Sequence, residues 1–331
     1  MTVDENGRPQ QDPVVISDKK SGLPFSKGIL ASSISVAGID IVTAHKIALN
    51  IQEYFKTNRT RSITLEELRS LAFRFIKDEV GLEYAEKYLL WQSVGKLQKP
   101  TIILVGGATG VGKSTVATVL ANRLNITRVA STDAIREVMR ASVSEQLIRP
   151  LRGSSYNAYL NLTLPPSGVE PVILGFREQV IAVNVGVEAI IKRSVEEKTD
   201  IVIEGAHIVP GYLDIKKYTD RSIIIQMVVA VPDKNTHKEH FNKRTVETQG
   251  SRPMQRYLKH LEKIIMIQDY LEELAGKKNV KIIQNYNLDN TVNEALELVF
   301  KRIKDEFAKV GNEYTGTAQE PVQELGPELA D

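Results

Sequence analysis

The chain has 331 residues, of which 42% are hydrophobic and 25% are charged, and its formal net charge is +2. A charge so close to zero does not indicate nucleic acid or a membrane surface as the main partner, and the absence of cysteine excludes disulfides, thiolate metal sites and cysteine nucleophiles. The longest apolar stretch, Ile223 to Val231, is interrupted by Gln226 and is far shorter than the roughly 18 residues of a membrane span, so we expect a cytoplasmic protein.

The two ends of the chain are polar. Residues 1–13 have no apolar core of the kind found in signal peptides. Residues 312–331 are acidic, contain no basic residue and include two prolines. Neither segment can bury much apolar surface, so both are expected to be disordered.

Residues 14–95 show a helical pattern, which predicts an all-helical domain. Thr64 and Glu67 have the spacing of a capping box, a common helix start. Gly95 to Pro100 reads as a linker to a second domain over residues 100–310. Apolar residues that recur at helical spacing support this prediction: Ala44, Ile47, Ala48, Ile51, Tyr54 and Phe55.

From Thr101 onward, short apolar runs alternate with helical stretches. This alternation predicts an α/β domain, with a doubly wound parallel sheet of five strands covered on both faces. The candidate strands are Thr101–Val105, Thr127–Ser131, Asp200–Glu204, Ser222–Val231 and Asn279–Gln284.

The strongest local signal is a phosphate-binding loop that follows the first of these strands. It has the pattern GxxxxGK[ST], in which backbone N–H groups at a helix start surround the phosphates of ATP. Lys113 is expected to reach the outer phosphates, and Ser114 to offer its hydroxyl to Mg²⁺. The residues expected to contact ATP are Gly107, Ala108, Thr109, Gly110, Val111, Gly112, Lys113, Ser114 and Thr115.

Two acidic residues stand at predicted strand ends, where ligands of such sheets bind. Asp133 is placed to accept a proton from a substrate hydroxyl or to act on the metal through water, with capping of the next helix as the alternative. Glu204 ends the run IVIE and can support the metal or contact the substrate, with a solvated strand end as the alternative. The residues leave open which acid is the base.

Basic residues are grouped in two later regions. Arginine forks bind phosphate and carboxylate groups through two oxygens at once, so an arginine cluster indicates a substrate with at least two anionic groups. Arg244 lies where adenylate-kinase-like folds have a lid, and is expected to act on the transferred phosphoryl group. The arginines of the cluster are Arg136, Arg140, Arg149, Arg152 and Arg177, of which Arg136, Arg140 and Arg177 are the candidate substrate ligands.

The absence of the NKxD and LSGGQ motifs disfavours switch GTPases and transporter ATPases. Together, GGATGVGKST, STDAIREVMR, IVIEGAHIVPG and PFSKGIL resemble the archaeal 2-phosphoglycerate kinases. That resemblance implies transfer of the ATP γ-phosphoryl group, with Mg²⁺, to the 3-hydroxyl of 2-phosphoglycerate. The product, 2,3-bisphosphoglycerate, feeds the synthesis of cyclic 2,3-diphosphoglycerate in methanogens.

The helical region is similar to the ATP-cone, a nucleotide-binding module that acts as an allosteric sensor in ribonucleotide reductases. The similarity rests on residues 19–22, on Pro24 and Phe25, and on Lys27. The spacing after Phe25 is shorter than usual, and Ser21 replaces a frequent acidic residue. A purely structural helical domain is the alternative.

Two further hypotheses concern the whole chain. One keeps the kinase and changes the acceptor to a nucleoside monophosphate or a sugar phosphate. The other is an ATP-sensing regulator without turnover. The sequence does not decide the oligomeric state.

Overall fold

The computed structural model describes residues 14–18, 21–144, 147–162, 168, 170–247, 254–309 and 311. The predicted disordered ends, residues 1–13 and 312–331, lie outside this part of the chain. Two compact units are present, one made of Met1–Lys96 with Lys304–Asp331 and the other of Leu97–Ile303.

The first unit combines helices with a small sheet. Its helices are α1 (Lys27–Ser35), α2 (Ile41–Thr57), α3 (Leu65–Glu79) and α4 (Leu82–Ser93), followed by a 3-10 turn at Val94–Leu97. Its strands are β1 (Val15–Asp18), β2 (Ser21–Pro24) and β3 (Ser62–Thr64), and β1 pairs antiparallel with β2 and parallel with β3. The all-helical prediction is therefore corrected to a mostly helical unit, because strands of three or four residues are too short to show a clear alternation.

The core of the first unit is formed by the apolar faces of its helices. Five of the six residues predicted at helical spacing on α2 are buried, whereas Tyr54 is 37% exposed. Tyr54 lies at the margin of the apolar face, where its ring contacts Phe75 and the Arg74 guanidinium. The predicted capping box is confirmed, since Thr64 accepts from the Glu67 backbone and Glu67 accepts from the Thr64 backbone.

The second unit contains the predicted five-stranded parallel sheet. The strands are β4 (Thr101–Gly106), β5 (Val129–Ser131), β6 (Ile201–Glu204), β7 (Ile223–Ala230) and β8 (Lys281–Gln284). Their order is β5-β6-β4-β7-β8, with every pair parallel. β4 and β6 are fully buried, as expected for strands covered on both faces.

Helices connect these strands. They are α5 (Lys113–Arg123), α6 (Thr132–Ser142), α7 (Pro171–Glu197), α8 (Lys234–Glu247), α9 (Met254–Leu258), α10 (Leu261–Lys278) and α11 (Leu288–Lys309). Shorter 3-10 turns lie at Arg149–Arg152, Ala158–Asn161 and Ile215–Tyr218. Within the described ranges, no helix is both long enough and apolar enough to cross a membrane.

Strand register aligns the carboxyl ends of β4, β5 and β6. Glu204 at the end of β6 pairs with Val105 on one side and with Ser131 on the other. The segments that follow these strands therefore start side by side at one edge of the sheet. In open α/β sheets this edge is where ligands bind.

Candidate functional site

The loop between β4 and α5 turns sharply before the helix begins. Gly110 and Gly112 have φ values of 87° and 83°, a left-handed conformation that favours glycine. A Cβ on Gly112 would also lie 2.4 Å from the Asn285 amide nitrogen. Glycine is therefore required at these positions by both the backbone conformation and the close neighbours.

Two side chains form hydrogen bonds to backbone carbonyl groups of this loop. Asn285, which follows β8, donates from Nδ2 to the Val111 carbonyl at 2.9 Å. The Nδ1 atom of His240 on α8 lies 3.1 Å from the Gly110 carbonyl oxygen. In a trans peptide the N–H points opposite to the C=O, so the N–H groups of Val111 and Gly112 point away from these two side chains. Such converging N–H groups bind phosphate oxygens.

Lys113 and Ser114 begin α5 directly beneath the sheet edge. The Lys113 side chain is buried, and the Ser114 hydroxyl donates to the Glu204 carboxylate at 2.9 Å. Glu204 is itself only 6% exposed. The reading of Glu204 as a solvated strand end is wrong, because register and burial place its carboxylate against the loop helix.

Asp133 is in the first turn of α6, beside Glu204 at the sheet edge. Ser131 is the residue that caps this helix, since its Oγ accepts from the Asp133 backbone N–H at 3.2 Å. The capping alternative for Asp133 is therefore wrong. Its carboxylate is exposed, with an oxygen 4.0 Å from Nε of Arg136.

A polar pocket of about 250 Å³ opens along α6, beginning at Arg136, one turn after Asp133. Its lining comes from α6 and from the segment after it: Arg136, Glu137, Arg140, Arg152, Gly153, Ser154 and Asn157. Nε of Arg136, Nε of Arg152 and Oδ1 of Asn157 are buried there without a hydrogen-bond partner. Buried polar atoms without partners are costly in a folded protein, so this pocket is suited to a polar ligand.

The predicted arginines are only partly brought together. Arg136 and Arg140 both line the pocket. Arg136 also donates to the carbonyls of Leu151 and Gly153, which holds the segment after α6 in place. Arg177 is exposed on α7 and does not line the pocket. Arg244 lies in α8, and its side chain is outside the described part of the structure.

Several residues of the site were missed in the sequence. Arg152 belonged to the predicted arginine cluster but was not named as a candidate substrate ligand, yet it lines the pocket together with Asn157. Gln179 and His207 support the site from a distance and carry no motif that assigns them a partner. The run EGAH placed His207 near a strand end, but only the fold shows what it contacts.

His207 is fully buried between α6 and α7. Its Nδ1 lies 2.8 Å from Oγ1 of Thr132, and its Nε2 lies 3.0 Å from Oε1 of Gln179. Burial lowers its pKa from 6.5 to about 4, and the Asp133 carboxylate acts in the opposite direction. The imidazole is therefore neutral at physiological pH.

Aromatic rings of α8 and α9 connect the loop with the pocket segment. Phe241 is buried against Gly110, where an added Cβ would lie 2.1 Å from the ring. Its ring stacks on Tyr257 with centroids 4.8 Å apart, and Tyr257 meets Tyr156 edge-on at 6.4 Å. Tyr156 lies immediately before Asn157 of the pocket, so one run of rings touches both regions.

The sequence matches no protein-family model. It is 40% identical to a 2-phosphoglycerate kinase from Methanothermobacter thermautotrophicus, over 86% of this chain and 93% of that protein. It is 38% identical to one from Thermococcus kodakarensis, over 88% and 98%, and 37% identical to one from Methanocaldococcus jannaschii, over 96% and 99%.

Solved structures similar to the chain include a gluconokinase from Sinorhizobium meliloti and a shikimate kinase from Acinetobacter baumannii. Each covers 63% of this chain and 97% of its own, at 17% and 16% identity respectively and with a TM-score of 0.37 in both cases.

Proposed function

The chain belongs to the 2-phosphoglycerate kinase family, as its motifs indicated, and we propose that it transfers the γ-phosphoryl group of ATP to the 3-hydroxyl of 2-phosphoglycerate. The product is 2,3-bisphosphoglycerate, and the reaction takes place in the cytoplasm. The observation that carries this proposal is the pocket lined by three arginines beside Asp133, at the same sheet edge as the phosphate-binding loop.

ATP binds with its phosphates against the loop and the start of α5. The residues that hold it are those of the predicted set from Gly107 to Thr115. The N–H groups of Val111 and Gly112 face the phosphates because their carbonyl neighbours are held by His240 and Asn285. The ammonium of Lys113, whose side chain is largely buried, neutralises charge on the outer phosphates during transfer.

Magnesium fits the oxygen donors at the end of β6. The Ser114 hydroxyl and the Glu204 carboxylate lie 2.9 Å apart, and Mg²⁺ prefers such oxygen ligands. When bound, Mg²⁺ supplies charge neutralisation to the transferring phosphates. Among the described residues, no group of three or more His, Asp or Glu side chains could hold a metal.

The acceptor occupies the arginine-lined pocket. 2-Phosphoglycerate carries a phosphate and a carboxylate, and guanidinium groups bind either through paired hydrogen bonds. Arg136, Arg140 and Arg152 line one pocket of about 250 Å³, in which Arg136 and Arg140 are also paired with Glu137. Arg177 is left out of this set because it does not line the pocket. Glu204 acts on the metal side and does not contact the acceptor.

Phosphoryl transfer then needs one proton acceptor and one cationic group. The acceptor hydroxyl oxygen attacks the γ-phosphorus, and the bond from that phosphorus to the oxygen bridging to the β-phosphate breaks. The hydroxyl proton passes to the Asp133 carboxylate, and ADP leaves with the bridging oxygen. Arg244 of α8 stabilises the negative charge on the transferring group, by its position in the chain.

An acceptor panel tests the proposal. The full chain is incubated with ATP, Mg²⁺ and one of 2-phosphoglycerate, 3-phosphoglycerate, a nucleoside monophosphate or a sugar phosphate, and the phosphorylated product is identified by ³¹P NMR. We expect bisphosphoglycerate from 2-phosphoglycerate, with no product from Lys113→Ala. Preference for a nucleotide or sugar phosphate would instead support the second kinase hypothesis. ATP binding without turnover on any acceptor would support the regulator.

The helical region, residues 14–95, is proposed as an ATP-cone-like sensor. It has a hydrophobic core of its own, and exposed Lys27 begins α1 at the position matched to the cone. Lys27→Ala should then change the dependence of rate on ATP concentration, whereas Lys77→Ala on α3 should not. Identical ATP kinetics in both variants would mean that the region is structural.

A further inference from the structure

His207 is the most completely buried ionisable group near the site, and the transfer step above does not use it. Its side chain has no exposed surface, and it is not one of the residues that line the pocket. Burial of an imidazole is unfavourable unless both ring nitrogens find partners. The identity of these partners shows what the residue does.

The hydrogen bonds determine which nitrogen carries the proton. Nε2 of Gln179 donates to the carbonyls of Pro150 and Gly153, so the amide cannot be flipped, and its Oε1 is left to accept. Nε2 of His207 must therefore carry the proton and donate to Gln179. Nδ1 is then an acceptor, and the Thr132 hydroxyl donates to it. A chain of hydrogen bonds runs in one direction from Thr132 through His207 to Gln179.

One end of this chain controls the position of Asp133. Thr132 is fully buried and immediately precedes Asp133 at the start of α6. A Cβ on Gly205 would lie 1.8 Å from the Thr132 hydroxyl, so β6 and α6 approach as closely as glycine allows. A shift of Thr132 would therefore move the carboxylate that accepts the proton.

The other end controls the wall of the acceptor pocket. Gln179 and Arg136 both donate to the Gly153 carbonyl, and Gly153 lines the pocket next to Arg152. Gln179 has no exposed surface, so its amide has no water to replace these partners. The segment 150–153 is thus held by both Gln179 and Arg136, and His207 provides the remaining hydrogen-bond partner of the Gln179 amide.

We propose that His207 is a positioning residue that sets the distance between the start of α6, which carries the Asp133 carboxylate, and the segment 150–153, which carries Arg152 into the acceptor pocket. This inference rests on the proposed function, because it assigns the pocket to 2-phosphoglycerate. A flat ring with a donor and an acceptor on opposite sides is a rigid spacer between two elements. The charged groups facing it are Asp133 and Arg136 on α6 and Lys113 on α5.

Two substitutions separate the two ends of the spacer. His207→Asn keeps an acceptor at the Nδ1 position for Thr132 and loses the donor to Gln179. His207→Gln keeps a donor at the Nε2 position for Gln179 and loses the acceptor for Thr132. One lost hydrogen bond corresponds to a change on the order of tenfold.

The experiment measures kcat and both KM values for the full-length variants. We expect His207→Asn to raise KM for 2-phosphoglycerate about tenfold with kcat little changed, and His207→Gln to lower kcat about tenfold with that KM little changed. KM for ATP should stay within about twofold in both. His237→Asn and His237→Gln are the matched controls, because His237 is also buried and hydrogen-bonded to a glutamine, Gln268. The two controls should not show one variant affecting KM for 2-phosphoglycerate and the other affecting kcat.

Thr132→Val covers the case in which the His207 variants do not fold. It keeps the shape of the side chain and removes the hydroxyl that donates to Nδ1. It should lower kcat to the same extent as His207→Gln. The inference is overturned if Thr132→Val leaves kcat unchanged, or if the two His207 variants change the same parameter equally. Wild-type protein inactive on 2-phosphoglycerate would contradict the proposed function instead.

Discussion

The phosphate-binding loop takes six consecutive residues between β4 and α5, whereas the acceptor pocket takes its lining from two separate segments between residues 136 and 157. In the proposed mechanism the loop would hold ATP with backbone N–H groups, which every residue except proline provides. The pocket would hold the acceptor with side chains, and it is supported by Gln179 and His207 from other elements. Binding through the backbone leaves a contiguous sequence pattern, and binding through side chains does not.

The two regions also differ in what a single substitution can damage. In the loop, glycines and the carbonyl contacts of His240 and Asn285 maintain the backbone conformation. In the pocket, each arginine contributes its own charge to the ligand. We therefore expect loop variants to act on ATP, and pocket variants to act on the acceptor.

The largest effect is expected for Lys113→Ala. Its side chain is largely buried at the end of the loop, and removal of one charged group at the transferring phosphate typically lowers kcat about 100- to 1000-fold. Initial rates at saturating ATP and 2-phosphoglycerate measure the change. Lys192→Ala, on the exposed face of α7, is the control and should keep the wild-type rate. Equal rates for the two variants would remove Lys113 from the mechanism.

Arg152→Ala should act on the acceptor alone. Its Nε is buried in the pocket without a partner, and one lost charge-assisted hydrogen bond corresponds to about 10- to 100-fold in affinity. KM for 2-phosphoglycerate should rise by this factor, while KM for ATP stays constant. Arg193→Ala, which removes an exposed ion pair with Glu197, is the control. A rise in both KM values would mean that the two regions are not separable.

Asn285→Ala should affect the binding of ATP and leave the binding of the acceptor unchanged. The variant frees the Val111 carbonyl, so the peptide plane that presents the Gly112 N–H can rotate. KM for ATP should rise about tenfold, the usual size of one lost hydrogen bond, with KM for 2-phosphoglycerate unchanged. Asn290→Ala, at an exposed position of α11, provides the comparison. The expectation fails if the Asn285 variant binds ATP as tightly as the Asn290 variant does.

The difference between binding through the backbone and binding through side chains also explains which features could be predicted from the sequence. All five sheet strands and the phosphate-binding loop were predicted because their signals are local. Arg136 and Arg140 of the predicted arginine cluster both line the pocket, whereas Arg177 does not, and the role of these arginines in substrate binding stays a prediction. On α7, Gln179, two residues after Arg177, is the one that faces the pocket segment. No periodic pattern marks such a contact, since it depends on how α6 and α7 pack.

A further effect, on folding stability and not on catalysis, should appear as the pH is lowered. Burial lowers the pKa of His207 and that of His237 from 6.5 to about 4, so the unfolded chain binds more protons than the folded one between these pH values. Stability should therefore be unaffected by these groups above pH 6.5 and should fall as the pH decreases from 6.5 to 4. Each histidine contributes a slope of up to about 1.4 kcal/mol per pH unit.

Urea unfolding at several pH values measures this slope of the free energy of unfolding against pH, and His207→Gln should remove the contribution of one histidine from it. His237→Gln should do the same, because the two imidazoles are buried independently, one on the acceptor side and one next to Phe241 of α8. A slope unchanged in His207→Gln would mean that the imidazole binds its proton equally well in the folded and unfolded protein, which would contradict the effect of its burial.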